Sequence, residues 1–254
     1  MTKKELKKFL DFKAEQYNTK KFIKADPISI PHQFSKKEDI EVIGFIIATI
    51  AWGNRKSILN SGDKLINIMR NAPFDFIINH SEKDLTNCKG FVHRTFNEED
   101  LSYFFYALKQ LYKKYNSLED IFIKYKTNDS CQEAIHYFKK EFLSFGAPSR
   151  TYKHVSDPLK NSAAKRLNMM LRWFVRQDTK GVDFGIWNNL SPALLSLPLD
   201  VHTARISRKL KLLKRKQNDA KAVKELDKNL KKLDPADPVK YDFALFGLGV
   251  YEKF

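Results

Sequence analysis

The chain has 254 residues, 43% of them hydrophobic, which is enough for one large folded unit with a substantial core. Its 46 lysines and arginines outnumber 30 acidic residues, and the formal charge of +16 suits either a polyanionic partner such as nucleic acid or a merely solubilising surface. The two isolated cysteines exclude an iron–sulfur cluster held by four thiolates and argue against a zinc knuckle, and the six scattered histidines suggest no metal site. We therefore expect neither a metal nor a cofactor.

The N-terminal segment MTKKELKKFLDFKAEQYN is predicted to form a charged amphipathic helix and not a signal peptide. The longest apolar run, VIGFIIATIAW, is too short to span a bilayer. These features predict a soluble cytoplasmic protein without membrane contact. We also expect a monomer with no obligate protein partner.

Helical periodicity continues along nearly the whole sequence, and no apolar–polar alternation is long enough to predict a strand. Asn97 and Ser117 are of the residue types that favour helix N-caps. The connecting segments 147–161 and 178–199 contain prolines or glycines. The sequence predicts an all-α fold whose helices occupy 36–53, 55–71, 97–116, 117–125, 129–146 and 162–177 and then begin at Asp200, Asn218 and Asp237.

Asp200 follows an apolar segment and precedes VHTARISRKL, a predicted helix rich in cations. One interpretation is an N-cap that accepts from the amide of His202 or Thr203, as at any helix start. The other is a catalytic carboxylate. Lys165, ahead of the apolar stripe of SAAKRLNMMLRWFVR, has a similar pair of interpretations: a surface or phosphate-contacting cation, or a nucleophile.

The apolar segment with Pro198, Asp200 and VHTARI resembles the PVDTHVxR segment of the helix-hairpin-helix DNA glycosylases. In that superfamily an aspartate at a helix start stabilises the sugar cation and helps to deprotonate the nucleophile. The resemblance implies this role for Asp200 and places His202 and Arg205 in the flanking pattern. It also implies two helical subdomains with a cleft between them, formed within one unit 1–254 by residues 1–35 plus 200–254 and by residues 36–199.

In bifunctional members of the superfamily, a lysine upstream of the aspartate attacks C1′ of the damaged nucleotide, and a Schiff base and strand cleavage follow. The resemblance assigns this position to Lys165. Its distance of 35 residues from Asp200 is near the spacing in archaeal 8-oxoguanine DNA glycosylases, whose K-x-L setting is matched by Lys165 and Leu167. An amine attacks only when uncharged, which Arg166 and the apolar stripe would favour through repulsion and desolvation.

The segments GFVHRTF, SAAKRLNMMLRWFVR, PLDVHTARI and DPVKYDFALFGLG together resemble a bacterial family, domain of unknown function 2400. Where glycosylases place a glutamine-containing turn near the flipped base, this chain has WGNR, so Asn54 and Arg55 are candidate contacts. The LPGVG hairpin of the superfamily is absent, and Asn161, Ser162 and helix amides are the alternative phosphate ligands. The three tryptophans are candidate stacking faces, although for each of them a place in the core is the favoured interpretation.

Two further features are candidate DNA contacts. His93 and Arg94 of GFVHRTF either line the cleft or decorate a loop, and the seven cations between Arg205 and Lys216 either grip phosphates or form a solvated face. The leading hypothesis is a base-excision DNA glycosylase with lyase activity on an oxidised purine such as 8-oxoguanine. The alternatives are a non-enzymatic nucleic-acid-binding protein and a structural protein. The candidate residues are catalytic Lys165 and Asp200, with substrate or DNA contacts from Asn54, Arg55, His93, Arg94, Arg166, His202, Arg205 and Arg208.

Overall fold

The computed structural model describes residues 1–252 and 254. It is 64% helical with 2% strand, so the all-α prediction is confirmed. The α-helices of the described residues are α1 (Lys3–Tyr17), α2 (Lys20–Ile23), α3 (Lys37–Ile50), α4 (Arg55–Ile68), α5 (Pro73–Asn79), α6 (Glu82–Leu85), α7 (Glu98–Lys114), α8 (Leu118–Tyr125), α9 (Gln132–Leu143), α10 (Lys165–Val175), α11 (Val201–Lys209), α12 (Ala220–Lys231) and α13 (Tyr241–Val250).

The predicted N-caps are confirmed where the signal is local. Asn97 caps α7, Ser117 caps α8 and Asp200 caps α11, each through its side chain and each within a capping box. The starts of the last two helices are shifted. Asp219 and not Asn218 caps α12, and Asp237 caps a short 3-10 turn ahead of α13.

Other boundaries differ because single backbone positions decide them. Helix α10 begins at Lys165 and not at 162, since Ala164 has a left-handed φ of 45°. Pro73, which lies just beyond the predicted helix 55–71, is the first residue of α5, where its missing N–H costs nothing. The GFVHRTF segment forms a two-residue antiparallel pair, β1 (Val92–His93) with β2 (Phe96–Asn97), too short to be predicted by alternation.

The buried apolar side chains form two clusters. The larger includes residues of α3 to α5 and α7 to α10 and is rich in aromatic rings, with Phe45 in contact with Phe104, Phe138 and Phe142. The smaller joins α1, α11, α12 and α13 with the segment that precedes α11. The predicted division into subdomains stays a prediction.

Helix α1 packs along α13. The Tyr17 ring lies directly on Gly247, where any Cβ would overlap it. The Tyr241 hydroxyl donates to Asp11 Oδ1 at 2.9 Å. These contacts fix the position of α13, which contributes residues to the cavity described below.

Three further observations concern membrane-spanning helices, the two cysteines and groups that could bind a metal. No helix in the described part of the chain is long and apolar enough to cross a membrane. Cys88 and Cys131 are buried free thiols. Within residues 1–252 and 254 no three His, Cys, Asp or Glu side chains form a group that would hold a metal ion.

Candidate active site

An open cavity of about 910 Å³ lies where the N-termini of α4, α10 and α11 approach α13. Its wall includes Lys165 and Asp200, which are distant along the chain. The aromatic side chains on the wall are Phe22, Trp52 and Phe246. The side chains that carry charge are Asp26, Arg55, Lys165, Arg166, Arg172, Asp200 and Asp242, together with His202 when protonated.

Asp200 uses its two carboxylate oxygens differently. Oδ1 accepts from the backbone N–H groups of His202 at 2.8 Å and Thr203 at 2.9 Å, which is the N-cap interaction. Oδ2 lies 4.0 Å from Lys165 Nζ. Both interpretations of Asp200 are therefore compatible with its geometry, because the cap occupies one oxygen and leaves the other facing the lysine.

Lys165 is the first residue of α10, and the left-handed Ala164 precedes it. Its side chain is 34% exposed, against 19% for that of Asp200. The 4.0 Å separation is too long for a hydrogen bond, and no other carboxylate among the described residues lies within that distance of the amine. The amine is therefore held near an acid and remains free to contact a ligand.

Two turns along α10 from Lys165, the buried Arg172 forms the floor of the cavity. Its Nε donates to Asp183 Oδ1 at 3.1 Å, and its Nη1 donates to Asp242 Oδ2. Burial raises the pKa of the Asp242 carboxyl to about 6, with Arg172 opposing the shift and Asp200 adding to it. The floor thus carries an acid whose pKa lies above the ordinary value of an aspartate.

A second buried acid, Asp26, lies on the same wall and is 8% exposed. Its Oδ1 accepts from Ile28 N at 3.1 Å and caps the short turn Pro27–Ser29. Burial raises the pKa of the Asp26 carboxyl, although Arg172, Arg55 and Lys165 oppose the shift.

Three of the predicted substrate contacts line the cavity: Arg55, Arg166 and His202. The Arg55 guanidinium carbon lies 5.3 Å from the centre of the Phe246 ring. The Arg166 guanidinium lies 4.7 Å from the Trp52 ring and donates to the carbonyl of Thr49, and burial lowers its pKa to about 10. Arg166 is therefore engaged with the end of α3.

Other predicted contacts lie off the cavity wall. Asn54 is exposed and caps α4 by accepting from Lys56 N at 2.9 Å. His93 is buried behind Trp52, with Nδ1 2.9 Å from Ser61 Oγ and Nε2 3.2 Å from the Trp52 carbonyl. The expectation that His93 lines the cleft is therefore wrong.

Arg94 is also outside the cavity wall, and its guanidinium lies over Gly53. Gly53 has φ of 97°, a backbone conformation that favours glycine. A side chain at this position would be strained for that reason and because it would meet the Arg94 guanidinium.

If residues 205–216 formed one helix, several of their cations would share one side of it as a basic stripe, but that stripe does not form. Helix α11 ends at Lys209, and Lys211 has a left-handed φ of 60°, so Lys216 lies beyond the helix. Arg208 donates to the carbonyl of Arg215 at 2.8 Å. Arg205 donates to the carbonyls of Phe254 at 2.6 Å and Gly249 at 3.1 Å, so both arginines brace backbone.

Asn161 and Ser162, the alternative phosphate ligands, lie on the cavity wall, but both side chains already form hydrogen bonds within the protein. The Asn161 side-chain amide donates to Asp219 Oδ2 at 3.3 Å, and Ser162 Oγ accepts from Ala164 N at 3.1 Å. Of the three tryptophans, Trp52 lines the cavity, whereas Trp173 and Trp187 are buried in the larger core.

Sequence reasoning missed Asp26, Arg172 and Asp242. A detectable signal existed for two of them, because Arg172 and Asp242 are charged residues within strongly apolar helical stretches. Asp26 precedes Pro27 in a segment that has the composition of an ordinary turn, and only the packing of that turn against α4 brings it to the cavity.

The segments that carry the motifs fall within one recognised protein family. The family described as "Protein of unknown function (DUF2400)" matches residues 26–251, a range that includes Asp26, Lys165, Asp200 and Asp242. Neither the curated proteins nor the solved structures gave a match to the chain. Since the match spans most of the sequence, the chain belongs to the DUF2400 family.

Proposed function

We propose that this protein is a base-excision DNA glycosylase with a lyase step, acting on an oxidised purine such as 8-oxoguanine. The observation that carries the proposal is the pair of Lys165 and Asp200, whose Nζ and Oδ2 atoms lie 4.0 Å apart on the wall of a cavity of about 910 Å³. The resemblance of PLDVHTARI to the glycosylase motif supports the same roles.

The cavity has the size and lining that an extruded nucleotide needs. Its volume is within the range of about 300–1,000 Å³ typical of small-molecule sites. Trp52, Phe22 and Phe246 are each only partly buried and offer ring surfaces on which a base would stack. A base removed from the duplex would therefore be received between aromatic and charged groups.

The two side chains have complementary roles in the proposed reaction. The Lys165 amine forms a bond to C1′ as the glycosidic bond breaks, and the bonding electrons leave with the base, which takes up a proton. Asp200 Oδ2 stabilises the positive charge on the sugar and accepts a proton from the attacking nitrogen. Opening of the sugar, with O4′ taking up a proton, then gives the Schiff base, and loss of a proton from C2′ forms the C2′–C3′ double bond as the 3′ phosphate leaves with its bonding electrons.

The charge of +16 supports duplex DNA as the partner. Lys56 and Lys160 are exposed, each adjoins a residue of the cavity wall, and neither has a carboxylate within 4.0 Å in the described part of the chain. Such free cations suit phosphate contacts, which would make binding fall steeply as salt rises.

Borohydride trapping on a duplex that contains 8-oxoguanine tests the proposal. The reductant should convert the Schiff base into a stable protein–DNA adduct, and Lys165→Gln should abolish the adduct. Lys113→Gln is the matched control, because Lys113 is an exposed lysine on α7, away from the cavity. An adduct that survives Lys165→Gln, or no excision by the unaltered protein of any oxidised purine, would overturn the proposal.

A non-enzymatic nucleic-acid-binding role would give a different pattern in the same experiments. Lys165 would then act only as a phosphate contact, and Lys165→Ala would weaken binding modestly and equally for intact and damaged duplexes. No base would be released. Binding titrations at several salt concentrations, run beside the trapping assay, separate the two functions.

A further inference from the structure

We infer that Asp26 determines which base enters the cavity, and that it selects a guanine-type edge carrying adjacent N–H donors. The inference rests on the proposed function and extends it to the recognition of the substrate. It assigns a specific role to an acid that sequence reasoning did not identify.

The Asp26 carboxylate has one oxygen without a protein partner. Oδ1 accepts from Ile28 N at 3.1 Å, whereas Oδ2 has no hydrogen bond to any described residue. Asp26 is more than nine-tenths buried, and it forms part of the cavity wall. Its Oδ2 has no hydrogen-bond partner but is not fully buried. Oδ2 therefore opens toward the cavity.

The other acids near the floor have close cationic partners, and Asp26 does not. Asp183 and Asp242 both accept from Arg172, but no cation within the described residues lies within 4.0 Å of Asp26. Arg172, Arg55 and Lys165 influence Asp26 only at longer range. A buried carboxylate without a partner is costly, and donors supplied by a ligand would relieve that cost.

The chemistry of the free oxygen selects among bases. Burial disfavours the charge on Asp26, but N–H donors from a ligand favour the ionised form, and an ionised carboxylate only accepts hydrogen bonds. Guanine and 8-oxoguanine present N1–H and the N2 amino group side by side, so both donors suit a carboxylate. Adenine alternates a donor with an acceptor on the same edge, and that acceptor would face the negative charge. Asp26 should therefore favour oxidised guanine over oxidised adenine.

Removing the N2 amino group tests this contact. The excision rates of 8-oxoguanine and 8-oxohypoxanthine, which lacks that group, are compared in otherwise identical duplexes under single-turnover conditions. The unaltered protein should favour 8-oxoguanine about 10- to 100-fold, the discrimination expected for a good hydrogen-bonded base contact. The affinities of Lys165→Gln protein for the same duplexes should show the preference without chemistry.

Asp26→Asn should reduce that preference to about twofold or less. Asparagine keeps an oxygen for Ile28 N and replaces the free acceptor with an amide donor. The readout is the ratio of the two rates within each variant, from which any general loss of folded protein cancels. Asp237→Asn is the control, since Asp237 pairs with Arg176 and is not part of the cavity wall.

The outcomes distinguish this inference from the proposed function. Equal excision of both bases by the unaltered protein, or an undiminished preference in Asp26→Asn, would overturn the inference while the glycosylase proposal stands. Excision of neither base would overturn the role of Asp26, and the glycosylase proposal falls with it only if no other oxidised purine is excised.

Discussion

The two ends of helix α10 treat charge in opposite ways. Toward the C-terminus, Arg172 and Arg176 are buried and donate to carboxylates, which include Asp183 and Asp237 at 3.3 Å or less. At the N-terminus, Lys165 is partly exposed and its one acidic neighbour in the described chain is 4.0 Å away. Charges satisfied within the protein hold the helix in place, whereas the loosely paired lysine is available to a ligand. One helix thus combines a structural end with an end that is open to a ligand.

The largest effect should come from breaking the structural end. Arg172→Met leaves Asp183 and Asp242 buried with fewer partners, so we expect the free energy of unfolding to fall by about 3–5 kcal/mol. Lys165→Met should change it by less than about 1 kcal/mol, since the exposed pair is weak. Denaturant titration followed by circular dichroism measures both. Similar decreases in the free energy of unfolding in the two variants would contradict the difference between the two ends of α10.

Two substitutions of Asp200 distinguish the capping role of Oδ1 from the proposed catalytic role of Oδ2. Asp200→Asn keeps the cap of α11 and removes the charge near Lys165, so we expect excision to slow about 100-fold or more with nearly unchanged stability. Asp200→Ala should slow excision similarly and also cost about 1 kcal/mol of stability. Single-turnover rates and denaturation curves give the two readouts. A normal excision rate in Asp200→Asn would leave the carboxylate with the capping role alone.

Asp242 predicts how stability depends on pH. Its folded pKa of about 6 exceeds its ordinary value of 3.8, so the folded state favours the protonated form. The stabilisation from that proton is complete below pH 3.8 and is lost as pH rises through about 6, to a total of about 3 kcal/mol. Asp242→Asn should flatten this part of the profile, measured by denaturation at pH values from about 4 to about 7. An unchanged slope in the variant would exclude Asp242 as its source.

The smallest effect concerns cations outside α10 that, like Lys165, lack a close partner. Lys56→Ala should weaken duplex binding about threefold at moderate salt and lower the salt slope by about one. Lys240 is the paired counterpart, with Asp11 Oδ1 at 3.1 Å, and Lys240→Ala should leave the slope unchanged. Fluorescence anisotropy across a salt series distinguishes them. Equal slopes for all three proteins would remove Lys56 from the DNA contacts.

Features that depend on a few neighbouring residues were predictable from sequence. The N-caps at Asn97, Ser117 and Asp200 are read directly from a short polar residue ahead of an apolar pattern. The proximity of Lys165 and Asp200 was expected from the resemblance to glycosylases and not from spacing alone.

Features that depend on tertiary packing were not predictable in the same way. The partners of Arg172 come from segments 11 and 70 residues away, and no local pattern specifies them. The cations of residues 205–216 do not form a stripe along one helix, because α11 ends at Lys209 and the left-handed Lys211 follows it. His93 was misplaced because the packing of the hairpin behind Trp52 decides which way its ring faces.

The contact between α1 and α13 bears on how fragments of this protein should be chosen. The family match begins at residue 26, so a fragment cut to the matched range would lack α1 altogether. Removing α1 would uncover Gly247 and the apolar flank of α13, and α13 also supplies Asp242 and Phe246 to the cavity. Such a fragment would tend to aggregate, and its failure to act on DNA would say nothing about the catalytic roles proposed for Lys165 and Asp200.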